Sequence, residues 1–141
     1  MQTPNIETQG ILSPDGRWLA YTSNQSSRLE VYVQRVNADG RKWPISTGGG
    51  SDPKWRADGK ELFYVARDGQ LMSVDVSADR FEPGTPRPLF LVRDVSLVAP
   101  YPSIYDVQGN GQRFLARIPI EGLQTHPLNV LVNWAPRDRT K

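Results

Sequence analysis

Apolar and polar residues alternate in short runs along this chain. They rarely recur at the three- or four-residue spacing of an amphipathic helix. In Trp18-Leu19-Ala20-Tyr21 the side chains of Leu19 and Tyr21 fall on one side of a pleated strand. The same holds for Leu62 and Tyr64, and for Phe114 and Ala116. Further alternating runs are Leu29-Glu30-Val31-Tyr32-Val33, Leu71-Met72-Ser73-Val74-Asp75-Val76 and Asn129-Val130-Leu131-Val132-Asn133-Trp134. β-branched and aromatic residues dominate them, so each is read as a strand.

The runs belong to a repeat. Ser13-Pro14-Asp15-Gly16-Arg17-Trp18-Leu19-Ala20-Tyr21 aligns without gaps on Arg56-Ala57-Asp58-Gly59-Lys60-Glu61-Leu62-Phe63-Tyr64. Both align on Gln108-Gly109-Asn110-Gly111-Gln112-Arg113-Phe114-Leu115-Ala116. The turn pairs Asp15-Gly16, Asp58-Gly59 and Asn110-Gly111 are hairpin signals, because Asp, Asn and Gly tolerate positive φ. Their glycines lie 43 and then 52 residues apart. A strand precedes each turn and two follow it, and a fourth closes two of the copies around Trp43–Thr47 and Pro88–Val92. A four-stranded antiparallel meander at a period of about 40 to 50 residues has the size and content of one β-propeller blade. The fold class expected is all-β, a propeller segment of three such blades. Residues 1–50 form the first blade, 51–98 the second and 99–135 the third, with a polar tail over 136–141.

Leu12-Ser13-Pro14-Asp15-Gly16-Arg17-Trp18-Leu19-Ala20-Tyr21, with Asp52-Pro53-Lys54-Trp55 ahead of the second turn, resembles the WD40-like repeat of TolB-type propellers. The resemblance covers about residues 8–134 and is weakest in the third copy, where Gly109 and Asn110 replace the Pro and Asp. The closing strand Asn129–Trp134 is similar to the last strand of large propellers appended to bacterial serine/threonine kinases and transcriptional regulators. In such propellers the strand ahead of the turn lines a central channel. The resemblance therefore places Asp52, Lys54, Tyr101, Ser103 and Tyr105 near the channel mouth as candidate binding residues for a peptide or small polar ligand. The competing reading makes them solvated rim residues.

A closed propeller uses four to eight blades, so three blades are expected to need completion. Either a second copy supplies the rest of a six-bladed ring around a two-fold axis, or further sequence does. The segment Gln2–Ile6 is a candidate for a strand that closes another blade.

Composition narrows the chemistry. Apolar residues make up 38% of the 141, enough for a core of half-exposed strands. Cysteine is absent and His126 is the sole histidine, which excludes disulfides, thiolate zinc sites and His-rich metal sites. No D-x-D-x-D-G calcium loop, G-x-S-x-G elbow or P-loop lysine is present. His126, in Thr125-His126-Pro127, is read as a loop residue, and Gly48-Gly49-Gly50 as a flexible connection between blades. Trp18, Trp43, Trp55 and Trp134 are expected to pack between blades. No cofactor is expected.

Net charge is +2, with 17 basic and 15 acidic residues well mixed along the chain. No basic stripe suggests nucleic acid, and no run approaches the roughly 20 apolar residues of a membrane helix. Residues 1–7 show neither the basic nor the apolar region of a secretory signal, although the resemblance leans towards the cell envelope.

The function expected is a non-catalytic scaffold that binds a protein, peptide or other ligand, as the sensor or interaction part of a larger bacterial protein. The alternatives are an accessory propeller of a peptidase or glycan-active enzyme, and a stand-alone structural homo-oligomer. Specificity is expected in the loops Ser23–Arg28, Val76–Arg87 and Arg93–Pro102.

Overall fold

The computed structural model describes residues 7–37, 40–77, 81–92, 103–117 and 128–131, and every regular element among them is a strand. Gln2–Ile6, Tyr101, His126 and Trp134 lie outside the described residues.

Three antiparallel sheets follow one another along the chain. The first is the meander β1 (Glu7–Leu12), β2 (Trp18–Ser23), β3 (Glu30–Arg35) and β4 (Lys42–Pro44). The second runs β5 (Gly50–Trp55), β6 (Glu61–Ala66) and β7 (Gln70–Ser77). Its outer position is filled by two pieces. β8 (Glu82–Pro83) pairs with the end of β7, and β9 (Arg87–Leu91) pairs with its start. The third sheet is β10 (Tyr105–Val107), β11 (Phe114–Arg117) and β12 (Leu128–Leu131).

The three turns superpose in their hydrogen bonds. Gly16 N–H donates to Ser13 C=O at 2.8 Å, Gly59 N–H to Arg56 C=O at 2.9 Å and Gly111 N–H to Gln108 C=O at 2.8 Å. The glycines have φ of 71°, 70° and 72°, a region that costs glycine nothing. The preceding Asp15, Asp58 and Asn110 are not left-handed. They serve the turn through their side-chain oxygens, which accept from the N–H groups of Arg17 (3.1 Å), Lys60 (3.0 Å) and Gln112 (3.0 Å). Hydrogen bonds from Ser13 and Arg17 hold the Asp15 carboxyl down at about 2, and those from Arg56 and Lys60 do the same for Asp58.

The sheets stack face to face, and each seam is an apolar core. In the first seam Trp18, Ala20, Val31 and Val33 meet Leu62, Tyr64, Val74 and Val76. In the second, Phe63, Val65 and Leu71 meet Phe114, Ala116 and Tyr105. β6 is therefore buried on both sides, which explains its nearly unbroken apolar run. Leu62 and Tyr64, and Phe114 and Ala116, face the preceding sheet, and Leu19 and Tyr21 lie on the corresponding face of β2, while Trp18 and Ala20 on its other face meet the second sheet.

Phe81 keys the first seam. Its ring lies 4.9 Å from Trp18, 5.3 Å from Trp43 and 6.3 Å from Trp55, centroid to centroid. Three tryptophans thus pack at a seam, as expected. Phe81 holds a φ of 42°, a strained conformation for a bulky residue that is offset by its complete burial.

Two outcomes follow from these contacts. Phe81→Ala is expected to destabilise the fold by about 3–5 kcal/mol in urea titration. Asp15 and Asp58 are expected to titrate by NMR near 2, below the ordinary 3.8. Because their folded values are depressed, the stability they contribute is present above about pH 4 and is lost as pH falls towards 2. Both side chains are more than a third exposed, at 39% and 46%, so solvent keeps each contribution small.

Candidate functional site

The two strands ahead of the first turns share an irregularity. Register slips between Thr8 and Ile11 in β1 and between Ser51 and Lys54 in β5. At these bulges Gln9 and Asp52 take left-handed φ of 57° and 55°, which costs roughly 1–2 kcal/mol for a residue with a Cβ. Each stands seven residues before its turn glycine, and the matching residue of the third copy is Ile104.

The bulges aim side chains across the seams. Gln9 Oε1 accepts from Asp52 N–H at 2.9 Å and from Thr22 Oγ1 at 2.9 Å. Asp52 Oδ2 accepts in turn from Ile104 N–H at 3.1 Å and lies 2.7 Å from the Ser103 hydroxyl. The residue at one position in each copy thus bonds the backbone of the same position in the next. Ile104 has no acceptor with which to extend the relay.

Of the five expected channel-mouth residues, four converge here. Tyr105 donates its hydroxyl to Asp52 C=O at 2.9 Å, and Lys54 Nζ lies 3.9 Å from Asp52 Oδ1 and 5.6 Å from the Tyr105 ring centre. Asp52 and Tyr105 are buried. Burial pushes the Asp52 carboxyl above its ordinary 3.8 despite the Ser103, Lys54 and Ile104 contacts. Burial likewise raises the Tyr105 hydroxyl well above 10.0, with help from the Asp52 charge. These groups join the second and third sheets, and Asp52 and Tyr105 are not solvated rim residues.

A second feature lies at the opposite end of the sheets from the Asp-Gly turns. The β2–β3 hairpin, the β4–β5 connection and the end of β6 enclose a cleft of about 330 Å³ lined by Ser27, Arg28, Leu29, Ser51, Val65 and Arg67, with Gly49 and Gly50 in its wall. The glycines are there for space. A methyl group at Gly50 would stand 2.6 Å from Ser46 Oγ, and one at Gly49 (φ 103°) 2.8 Å from Arg67 Cβ. The Gly48–Gly50 stretch, expected as a loose connection, is held by bonds from Gly49 N–H to Glu30 at 3.0 Å and from Gly50 N–H to Leu29 C=O at 2.9 Å. Sequence reading missed this cleft, since its residues come from three separated segments. The triple glycine was the available signal. Of the loops expected to carry specificity, Ser23–Arg28 borders the cleft. Val76–Arg87 begins at the other end of its sheet, because Asp75 pairs with Glu61 beside the Asp58-Gly59 turn. Arg93–Pro102 is outside the described residues.

Among the described residues no group of three or more His, Cys, Asp or Glu side chains is placed to hold a metal ion. Asp52→Ala is expected to lower stability by about 1–3 kcal/mol, since Ile104 N–H loses its buried acceptor. Asp52→Asn keeps an acceptor. Because the folded Asp52 value is raised, wild-type stability from this group falls as pH rises through it. Asp52→Asn should therefore gain on wild type as pH rises above the ordinary 3.8, as chemical denaturation at several pH values will measure.

No protein-family profile matches the chain, and no curated protein does. Among solved structures, TolB from Acinetobacter baumannii overlaps it with a TM-score of 0.57 at 14% identity, over 84% of this chain and 27% of that one. The periplasmic gluconolactonase PpgL of Pseudomonas aeruginosa overlaps with a TM-score of 0.47 at 21% identity, over 91% of this chain and 40% of that one. The chain thus spans less than half the length of either. Three consecutive antiparallel sheets, repeating turns and seams built from the same positions agree with the first of these likenesses: the chain has a TolB-like β-propeller fold.

Proposed function

We propose that the chain is a non-catalytic propeller scaffold whose outer sheet faces are covered by further blades and whose loop end receives a protein or peptide. One observation carries the reading. Four residues after each turn glycine stand Ala20, Phe63 and Leu115. Ala20 and Phe63 are 0% and 1% exposed because a following sheet covers them, whereas Leu115 is 37% exposed. Four residues before the turn glycine, Trp55 is 7% exposed beneath the first sheet and Leu12 is 54% exposed. The seam positions Leu12 and Leu115 are therefore exposed at the two ends of the stack, and apolar seam surface is what another blade of the same repeat covers.

The polar groups at the seams support a structural role for the interior. Gln9, Asp52, Ser103 and Tyr105 are engaged with backbone groups or with each other, and this fixes the sheets relative to one another. Rigid sheets carrying loops at one end suit recognition.

Light scattering on the purified chain is expected to give a dimer or larger assembly. Leu115→Asp is expected to shift it towards monomer, with weaker folding. A monodisperse, well-folded monomer, or an assembly unchanged by Leu115→Asp, would overturn the proposal.

A further inference from the structure

The cleft between the first two sheets combines two features that do not usually meet by chance: an apolar wall and cations without full internal partners. Leu29 and Ala66 line it beside Arg28 and Arg67, with Val65, whose side chain packs into the second seam, at its edge. No ion pair with a described carboxylate engages Arg67. Its stem is pressed against Gly49, where a side chain would collide with it. Its backbone N–H bonds Gly49 C=O at 3.3 Å, so the base of the side chain is fixed in the cleft wall.

Arg28 is only partly compensated. It lies 3.8 Å from Glu30, but that buried carboxylate already accepts from Ser46 Oγ and Gly49 N–H. Asp68 is the nearby carboxylate in the β6–β7 turn, and it accepts from Gln70 N–H at 3.0 Å. The glycine N–H groups in the wall are also spent, on Glu30 and on Leu29 C=O. An anion entering the cleft would therefore be met by guanidinium groups, with the Ser27 and Ser51 hydroxyls beside them. Because Glu30 offsets part of the positive charge, a singly charged carboxylate fits better than a phosphate dianion. Arg forks bind carboxylates through two parallel hydrogen bonds.

Arg67 directly follows Ala66, the last residue of β6, so the cation and the apolar lining are adjacent. Building on the reading of this chain as a binding scaffold, we infer that the cleft binds a carboxylate carried next to a small aliphatic group. The C-terminal residue of a peptide presents both on one carbon, and a short aliphatic acid shares the chemistry. A volume of about 330 Å³ sits at the small end of the roughly 300–1,000 Å³ range of ligand pockets and suits a terminal residue or two.

The test is calorimetric titration of the full chain with N-acetylglycyl-leucine, its C-terminal amide and pentanoate. NMR shifts of Gly49, Gly50, Ser51 and Ala66 would locate the site. The free acid is expected to bind more tightly than about 1 mM, and the amide at least tenfold more weakly. Arg67→Gln is expected to cost at least tenfold, and Arg41→Gln, in the β3–β4 connection at the Asp-Gly end, nothing. Tight binding of pentanoate assigns the site to a small acid, whereas binding of the acetylated dipeptide alone assigns it to a chain terminus. No binding of either acid at 10 mM, equal binding of acid and amide, or equal losses in the two arginine variants would overturn the inference. The cleft lies wholly within the first two sheets, so this titration reads independently of what covers the outer faces.

Discussion

Burial between facing sheets is the constraint on which the rest of this molecule depends. A four-stranded meander of this length cannot dry both of its faces alone, and each seam removes one apolar face of two sheets from water at once. The middle sheet satisfies the requirement on both sides, with Leu62 and Tyr64 towards one neighbour and Phe63 and Val65 towards the other. Because β6 must be apolar on both faces, it loses the alternation that marks a half-exposed strand. The outer sheets keep one seam each, and their other faces carry Leu12 and Leu115 into solvent.

Apolar burial is non-directional and does not by itself set how one sheet sits on the next. The left-handed bulges at Gln9 and Asp52 supply that direction. Each bulge turns a side chain out of the pleat and onto the amide of its counterpart in the following sheet. The backbone strain at these residues is offset by hydrogen bonds that only the correct seam provides, and a slipped register would leave the strain and lose the bonds. The raised Asp52 carboxyl reflects the same trade, with a charge kept from water to hold a joint.

The seam also shapes the cleft. Where the β4–β5 connection crosses from the first sheet to the second, close approach admits only glycine at positions 49 and 50. The space left beside them is walled by side chains from both sheets. Arg28 and Leu29 come from the first sheet and Ala66 and Arg67 from the second, so neither sheet alone would form the cavity.

What the sequence determined by itself was the local chemistry of the repeat. Asp-Gly and Asn-Gly pairs, alternating strands and a common period are set within a few residues, because turn geometry and pleat are short-range properties. The three meanders and the propeller architecture were legible on that basis, whereas Asp52, Lys54, Ser103 and Tyr105 were singled out by the family resemblance alone, and the structure brings them together at the joint between the second and third sheets. The tertiary structure decided which neighbour each apolar face meets, with Leu62 and Tyr64 towards the preceding sheet and Trp18 and Ala20 towards the following one. It also decided that Asp52 is a buried joint instead of a rim group, and that a glycine run, a hairpin arginine and a strand-end arginine share one cleft. Those outcomes depend on contacts between segments far apart in the chain, Asp52 and Ile104 being 52 residues apart, which no local pattern encodes.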